Sequence, residues 1–281
     1  RMNRVFYKDK GVASVIGTLF ALLLIVTLIS AFMTQYVPVY MKTNEAQHDS
    51  QIIYSLSQMK TFIDLLVATD QVNYSLSVNV PMGASGIPIF APSTPSQITV
   101  SIASNVTNIT IFNKGKYILE DNSTGYVQIY ALNSYYPQEK IIYVNGAIVR
   151  NNVNYNTSTI FVGPGFSIQN TSKGYILNYY IYNIVGMPGS NTGTNTESLG
   201  ISLLGITRNT YTNTSSFKYV NITINKTYNY ADNLASWYYS QSLLYGYNGE
   251  YLSVNNNEIT FENVTVVNVI TSYLMINMES S

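Results

Sequence analysis

The longest uninterrupted apolar stretch of the chain lies close to its N-terminus. Residues 12–33 read VASVIGTLFALLLIVTLISAFM and include no charged side chain. At about 1.5 Å per residue this stretch forms a helix roughly 33 Å long, enough to cross the hydrocarbon core of a bilayer. The rival interpretation is a secretory signal peptide, whose apolar stretch is shorter and ends at a small-residue cleavage site. The pattern therefore predicts a retained transmembrane helix over residues 12–34.

The two flanks of the apolar stretch differ in charge. Residues 1–11 carry four basic side chains and one acidic side chain, whereas the segment after residue 33 is poor in basic residues. Basic flanks of membrane helices stay in the cytoplasm. We therefore expect residues 1–11 to form a basic cytoplasmic leader and the chain beyond the helix to lie outside the cell.

Two aromatic residues follow the apolar stretch on either side of a proline. Tyr36 and Tyr40 flank Pro38. Aromatic side chains are enriched where a membrane helix meets water, and proline cannot continue a helix without a kink or a restart. The chain is thus predicted to leave the membrane here.

A helical pattern continues over residues 35–72. Its seam positions recur at a spacing of four and three, which is typical of a helix that packs against a partner along its whole length. These positions are Met41, Glu45, His48, Ile52, Leu56, Met59, Ile63 and Leu66. Glu45 and His48 are polar, and we expect this first extramembrane turn to be exposed to water and both side chains to be solvated. The alternative is a pH-responsive contact, because histidine titrates near neutrality.

The helical pattern ends before a segment rich in proline and glycine. Residues 73–97 contain four prolines and two glycines, which predict a linker or an early loop. From residue 98 onward, short β-branched and aromatic runs of period two alternate with turn residues. Asn145-Gly146, in the sequence IIYVNGAIVR, is a strong β-hairpin signal. These runs predict a β-rich exterior domain over residues 98–281, built as an antiparallel sandwich.

Three further features complete the predicted fold. The polar residues 186–200 predict a long exposed loop, and a final hairpin is expected to turn at residues 255–257. A short helix is predicted near residues 231–245, and we expect its Trp237 to cover one end of the core rather than to stack on a ligand. The fold class is α+β: a long N-terminal α-helix, membrane-spanning with an amphipathic extension, followed by a mainly antiparallel β-sandwich exterior domain.

Composition narrows the classes of function. The net charge of zero argues against a nucleic-acid partner bound through phosphate neutralisation. Cysteine is absent, which excludes thiolate sites. His48 is the single histidine, so a zinc site with several histidine ligands is excluded and a Ser-His-Asp triad would have to use this one residue. The oxygen-rich residues 120–123 lack the spacing of a calcium loop. We predict no catalytic residue, no metal and no cofactor, and a protein that is not an enzyme.

The exterior part of the chain carries very little charge. Residues 71–281 include only 17 charged side chains, eight basic and nine acidic. Acid unfolding proceeds mainly by protonation of paired carboxylates and by charge repulsion. The sequence therefore predicts tolerance of low pH and, as a hypothesis, an acidic or hot habitat.

The exterior region is also rich in acceptor sequences for N-linked glycans. Ten Asn-x-Ser/Thr sequences occur, all beyond residue 70 and thus on the side predicted to lie outside. Their asparagines are Asn73, Asn105, Asn108, Asn122, Asn156, Asn170, Asn213, Asn221, Asn225 and Asn263. An Asn/Ser/Thr-rich surface also produces such sequences by chance, so the pattern predicts glycosylation at several of these sites without selecting them.

Small residues form a row on one side of the predicted membrane helix. Ala13, Gly17 and Ala21 are spaced four apart. Such a row allows a second helix to approach closely inside a membrane, where packing drives association. We predict helix–helix packing through this row, against copies of the chain or against other single-span helices; the alternative is that small residues are simply common in membrane helices.

The N-terminal junction resembles a known class of signal sequence. Lys10-Gly11-Val12-Ala13, followed at once by the apolar helix, is similar to the class III signal peptides of archaeal type IV pilins and archaellins. The resemblance covers about the first 70 residues. It implies that a prepilin peptidase cuts after Gly11, that Val12 becomes the new N-terminus, and that the helix packs into a filament core. The fifth residue after this junction is Ile16, where bacterial pilins usually carry glutamate.

Two functions follow as expectations. The resemblance implies a structural subunit of an archaeal type IV pilus-like surface filament for adhesion, assembled through its N-terminal hydrophobic helix. The alternative is an anchored extracellular accessory subunit of a membrane complex, or a surface binding protein, with an uncleaved N-terminus. Both place the protein at the cell surface, with the membrane and N-linked glycans among its partners and no nucleic acid.

Overall fold

The computed structural model describes the backbone of residues 5–102 and 105–279, and the side chains of residues 14–102 and 105–278. Residues 1–4 of the predicted leader lie outside the described part.

An almost continuous helix forms the first quarter of the chain. It consists of α1 (Val5–Ala31), one π-helical turn (Phe32–Tyr36) and α2 (Val37–Ala68). Pro38 lies in the first turn of α2, where its missing N–H and fixed φ are tolerated. The helix therefore restarts at the proline, through a widened turn, instead of ending there. It ends at Ala68, within the region where the sequence pattern loses its periodicity.

The rest of the described chain is dominated by strands. In chain order they are β1 (Ser75–Val80), β2 (Gly83–Ala84), β3 (Thr94–Ser101), β4 (Thr107–Asn113), β5 (Lys116–Ser123), β6 (Tyr126–Ala131), β7 (Glu139–Val144), β8 (Ala147–Asn152), β9 (Thr157–Val162), β10 (Phe166–Thr171), β11 (Gly174–Val185), β12 (Gly189–Gly193), β13 (Glu197–Thr212), β14 (Tyr219–Ile224), β15 (Leu252–Asn255), β16 (Glu258–Phe261) and β17 (Val264–Glu279). Between β14 and β15 lie the helix α3 (Ala231–Leu244) and a short 3₁₀ turn (Gly249–Tyr251).

These strands form three sheets in the described part of the chain. The first sheet has the order β1-β13-β17-β11-β10, and the second has the order β12-β3-β6-β7-β8-β9 with β2 paired to β3. The third has the order β15-β16-β14-β4-β5. Within the described residues β11 and β17 pair in parallel, and the other strand pairs are antiparallel. The α+β class with a mostly antiparallel β-rich domain, predicted from the sequence, is confirmed.

Two large hydrophobic cores lie between the helices and the three sheets. In the first, α2 packs with strands of the first and second sheets. In the second, α3 and the third sheet pack against the other half of β11 and β17. Since β11 is 12 residues long and β17 is 16, both strands extend through both cores. β11 and β17 therefore connect the two cores of the β domain.

The hairpin of β7 and β8 also serves both cores. Ile141, Tyr143 and Ile148 belong to the core beneath α2, whereas Val144 and Val149 belong to the core beneath α3. Successive side chains of a strand point to opposite faces, so this hairpin is buried on both sides. That explains why IIYVNGAIVR is almost continuously apolar, as in strands covered on both faces. Asn145 and Gly146, with φ of 43° and 78°, form the predicted turn.

The seam predicted for the extramembrane helix is buried, and its partner is the chain's own β domain. All eight seam positions, from Met41 to Leu66, are buried. Ile52, Leu56, Met59, Ile63 and Leu66 contact the first and second sheets through their shared core. A helix with one apolar stripe is stable only when that stripe is covered, and here the strands cover it.

Two predicted loops contain strands. The segment 73–97, predicted to be a linker or loop, includes β1 and β2, and β1 buries Val78 and Val80. The loop prediction was wrong there, because it gave more weight to the prolines and glycines than to the short period-two pattern of β1. The exposed loop predicted over 186–200 includes β12, which pairs with β3, and the start of β13. The side chains of β12 do not alternate between apolar and polar, so the sequence pattern could not indicate a strand. This edge strand is held by its backbone hydrogen bonds to β3.

The C-terminal part also differs from the predicted single hairpin. β15 and β16 form a hairpin that turns where the asparagines lie, with Asn256 at a φ of 51°. β17 then leaves this sheet and pairs with β11 and β13 instead. Trp237 on α3 packs against the second core, as predicted. A Cβ on Gly163 would lie 1.8 Å from its ring, so glycine is needed for this close approach.

Candidate functional site

The most unusual surface of the molecule is the bare apolar helix. Every residue from Ser14 to Ala31 is exposed, and several leucines are more than half accessible. By length and composition this helix can cross a membrane. The hydroxyls of Thr18 and Thr27 donate to the carbonyls of Val15 at 2.9 Å and Leu24 at 2.8 Å. The polar atoms of these two residues are therefore satisfied within the helix, as a lipid environment requires.

The small-residue row lies on this exposed surface. Gly17 and Ala21 are exposed, and a Cβ added to Gly17 would meet no atom within 4 Å. The side chain of Ala13, the third member of the row, lies outside the described residues. The available residues therefore leave room for another helix to approach at Gly17 and Ala21.

The predicted processing residues lie farther toward the N-terminus. Lys10, Gly11 and Val12 belong to the backbone of α1, and their side chains lie outside the described residues.

An aromatic cluster marks the point where the bare helix meets the β domain. Phe32 stacks on Tyr36, with ring centroids 4.8 Å apart, and Tyr36 stacks on Tyr40 at 5.9 Å. Phe90, from the loop between β2 and β3, packs against Phe32 at 4.9 Å. We call these four residues the aromatic collar. The collar lies at the end of the apolar run, where aromatic side chains favour a membrane–water interface.

The first packed turns of α2 hold a buried carboxylate. Glu45 is fully buried, and its Oε1 accepts hydrogen bonds from the hydroxyl of Thr94 at 2.7 Å and the N–H of Ser134 at 3.0 Å. Its Oε2 accepts from the N–H groups of Tyr135 at 2.8 Å and Tyr136 at 2.7 Å. Successive backbone N–H groups that point to one place bind an anion. The loop between β6 and β7 thus holds α2 through Glu45.

The prediction that Glu45 and His48 are solvated was wrong. His48 is 3% exposed, and its Nε2 donates to the carbonyl of Pro81 at 3.0 Å. Burial lowers the pKa of His48, against the opposing effects of the Pro81 hydrogen bond and the Glu45 charge. The solvated interpretation failed because residues 81–94 and 133–139, distant in the sequence, fold back and cover this turn.

A second buried carboxyl group lies next to this pair. Asp49 is 2% exposed, and its Oδ2 accepts a hydrogen bond from Asn133 at 2.9 Å. Burial raises the pKa of Asp49 to about 8, helped by the charge of Glu139 and opposed by Asn133 and Arg150. At neutral pH Asp49 is therefore protonated, and this neutral form avoids a second buried charge beside Glu139.

Glu139 connects this carboxyl to a basic residue. Arg150 forms a bidentate ion pair with Glu139, and its Nη2 also donates to the hydroxyl of Tyr136 at 3.0 Å. Asp49 of α2 thus lies next to an ion pair that joins β7 to β8. We call Glu45, His48, Asp49, Glu139 and Arg150 the buried polar cluster. Sequence reasoning missed Asp49, Glu139 and Arg150; Asp49 follows Glu45 by one helical turn, which was the available signal.

A surface cavity of about 540 Å³ lies at the other end of α2. Its charged side chains are already engaged: Asp64 pairs with Lys60 at 2.7 Å and accepts from the hydroxyl of Tyr182 at 3.0 Å. Arg208 pairs with Asp70 at 2.6 Å. In the described residues no group of three or more His, Cys, Asp or Glu side chains could hold a metal ion. Because these charged side chains already have partners, we interpret the cavity as a gap at the junction between α2 and the sheets, not as a ligand site.

The ten asparagines of the predicted glycan acceptor sequences lie on the surface in different environments. Four of them, Asn73, Asn105, Asn156 and Asn170, are exposed, and the other six are half-buried. Among the half-buried ones, the side-chain amide of Asn221 donates to Glu258 at 2.7 Å and that of Asn225 donates to the carbonyl of Asn105 at 2.8 Å. Since the amide nitrogen is the atom that carries a glycan, the exposed positions are the more accessible acceptors.

Comparison with known proteins gives no relative for this chain: no family model, no curated protein and no solved structure matches it. A function must therefore be inferred from the bare helix, the aromatic collar and the domain that they carry.

Proposed function

We propose that this chain is a structural subunit of an archaeal type IV pilus-like surface filament that serves adhesion. The observation that supports it is the division of a single long helix into two halves. From Ser14 to Ala31 the helix is exposed all round, while the seam of α2 is buried in its own β domain. The free half is available for assembly and the other half already has its partner.

The bare half of the helix must be covered by some apolar surroundings. Exposed Leu, Ile, Val and Phe side chains line it, and each fully buried side chain of this kind contributes about 1.5–3 kcal/mol. Before assembly, lipid covers these side chains. In a filament, helices of neighbouring copies cover them, with Gly17 and Ala21 at close contacts.

The N-terminal junction supplies the route from membrane to filament. By its resemblance to class III signal peptides, a prepilin peptidase cuts between Gly11 and Val12 and removes the basic residues of the leader. The freed helix then leaves the bilayer and enters the filament. The β domain, with N-linked glycans at exposed acceptors such as Asn156 and Asn170, faces the environment in a structural rather than catalytic role.

The aromatic collar favours a second candidate function. Tyr36 and Tyr40 are 52% and 43% exposed, so lipid headgroups can reach them while the helix stays in the membrane. In this alternative the chain is a single-span anchored accessory subunit of a membrane complex, or a surface binding protein. Its N-terminus remains uncleaved and cytoplasmic.

Mass spectrometry of the N-terminus of the native protein distinguishes the two functions. We expect a chain that begins at Val12, because the filament model requires removal of the leader. Replacement of Gly11 by leucine should block the cut, whereas Asn3→Leu, inside the leader, should not. A native chain that keeps residues 1–11 would overturn the filament proposal and support the anchored alternative.

A further inference from the structure

The loop between β2 and β3 reaches back along the helix toward the membrane. Residues 86–93 read GIPIFAPS and form a tight turn in which Ile87 and Ala91 exchange two backbone hydrogen bonds of 2.9 Å. Ile87 and Ala91 pack with Val37 and Met41 of α2 and with Phe32. We call residues 86–93 the interfacial loop. It is fixed to the helix at the level of the aromatic collar.

The position of Phe90 relative to the apolar run gives the depth of this loop. Its ring lies 4.9 Å from that of Phe32, which is one of the last residues of the uncharged run 12–33. Phe32 lies one π-helical turn before Val37, the first buried residue of α2, and thus on the side of the apolar run. When α1 spans a bilayer, the loop therefore lies beside helix residues that are themselves at the lipid boundary.

The tip of the loop has the exposure expected of a group that enters lipid. Ile89 is 101% exposed, so it makes no contact that would account for an isoleucine at this position. Its φ of 72° is unfavourable for a β-branched residue, and glycine or asparagine would be the usual choice. Burial of this side chain in the acyl-chain boundary would offset that strain.

The surface around the loop suits a lipid interface rather than a charged partner. No charged residue occurs between Asp70 and Lys114 in the sequence, so the loop and both strands that flank it are uncharged. The aromatic collar next to the loop includes Tyr36 and Tyr40, and tyrosine, which has an apolar ring and a polar hydroxyl, is enriched at membrane interfaces.

We propose that the interfacial loop inserts Ile89 and Phe90 into the boundary between headgroups and acyl chains of the outer leaflet, beside the membrane helix. The chain is then attached at two points, the span and the loop, which restricts how far the β domain can tilt relative to the bilayer. The proposal rests on the part of the proposed function in which α1 spans the membrane before any assembly.

Depth-dependent fluorescence quenching tests this proposal. Because the chain has no cysteine, Ile89→Cys provides a single attachment site for an environment-sensitive fluorophore. The labelled full chain is placed in phosphatidylcholine vesicles with a nitroxide on the lipid, either near the headgroup or near the chain end. We expect the shallow nitroxide to quench the loop label about twofold more than the deep one, as for an interfacial group.

Two reference positions make the result decisive. Leu24→Cys, in the middle of the bare helix, should be quenched more by the deep nitroxide. Met187→Cys is matched to Ile89 as an exposed apolar loop residue, 82% accessible, but it lies near Gly189, which pairs with Val100 at the far end of β3. Its label should not be quenched by either lipid.

Each other outcome overturns the proposal for a different reason. Quenching at Leu24 without quenching at Ile89 would show that the helix spans the membrane and the loop stays in water. Absence of quenching at Leu24 would refute the span itself, and with it the membrane stage of the proposed function. Energy transfer between Ile89 labels on different chains, without lipid quenching, would identify the loop as a contact between copies.

Discussion

Residues of the buried polar cluster are ionised or neutral according to the contacts that each one has. Glu45 accepts four hydrogen bonds, three of them from successive backbone N–H groups, which compensate a buried negative charge. Asp49, one turn later on the same helix face, has one amide donor and faces the charge of Glu139. Asp49 keeps its proton, because burial and the nearby charge of Glu139 both disfavour a second negative charge at this position.

The protonated state of Asp49 makes stability depend on pH. The folded pKa of about 8 lies above the ordinary value of 3.8, so this group stabilises the fold fully below pH 3.8 and loses that contribution as pH rises through 8. The lowered pKa of His48 acts in the opposite direction, and only below pH 6.5. The charged groups that face Asp49 and His48 are Glu45 on α2, Glu139 on β7 and Arg150 on β8.

We predict that Asp49→Asn flattens this pH dependence. Between pH 6.5 and 8 the wild-type free energy of unfolding should fall with pH by up to about 1.4 kcal/mol per unit. Asparagine has the shape of the protonated acid and its side-chain oxygen can still accept the hydrogen bond from Asn133, but it does not titrate, so the variant should lose the slope. Denaturant unfolding at several pH values measures it. Asp232→Asn, on the exposed side of α3, should keep the wild-type slope; an unchanged slope in Asp49→Asn would contradict the assignment.

At the scale of elements, the long helix has a different environment on each side of its π turn. Before Phe32 it is a bare apolar rod, and after Tyr36 it is half of a helix–sheet core. Pro38 defines the boundary, because the widened turn lets the helix restart without breaking. The β domain can thus be carried rigidly by a helix whose free half is dedicated to a membrane or to other helices.

We predict that Gly17→Leu weakens association between membrane helices. A leucine side chain at this position would prevent close approach of a second backbone, with an expected loss of about 1–2 kcal/mol per contact. Filament formation by electron microscopy, or self-association in detergent, measures the effect. Leu19→Phe adds bulk about 160° around the helix and should leave association unchanged. Normal assembly of Gly17→Leu would refute packing through the small-residue row.

At the scale of the whole molecule, the fold depends on apolar burial much more than on ionic contacts. Two large cores hold three sheets together, and the described ion pairs outside the polar cluster, such as Asp70–Arg208, are exposed or partly exposed. Exposed pairs contribute little to stability. The low charge of the sequence is therefore matched by a structure that has few charges to lose on acidification.

We predict that the protein retains more than about half of its pH 7 unfolding free energy at pH 3. Protonation of Asp49 already stabilises the folded state at acid pH, which partly offsets protonation of the unfolded chain at His48. Chemical unfolding of the full chain in detergent at both pH values provides the measurement. Loss of most of the stability over this interval would contradict the prediction and the acidic habitat inferred from composition.

Local sequence patterns determined the parts of this protein that depend on neighbours in the chain. The apolar run, the 4-3 seam of α2, the hairpin turn at Asn145-Gly146 and the position of Trp237 were all predicted correctly. Each depends on a period or a turn preference that acts over a few residues. The α+β class followed from the order of these patterns.

Only the tertiary structure decided which surfaces meet. Glu45 is held by residues 134–136, about 90 positions away, and β17 pairs with β11 rather than with its neighbour β16. The interfacial loop lies beside Phe32 for the same reason, although 57 positions separate Phe90 from it. Contacts between distant segments carry no local period, because the hydrophobic effect rewards burial without specifying the partner.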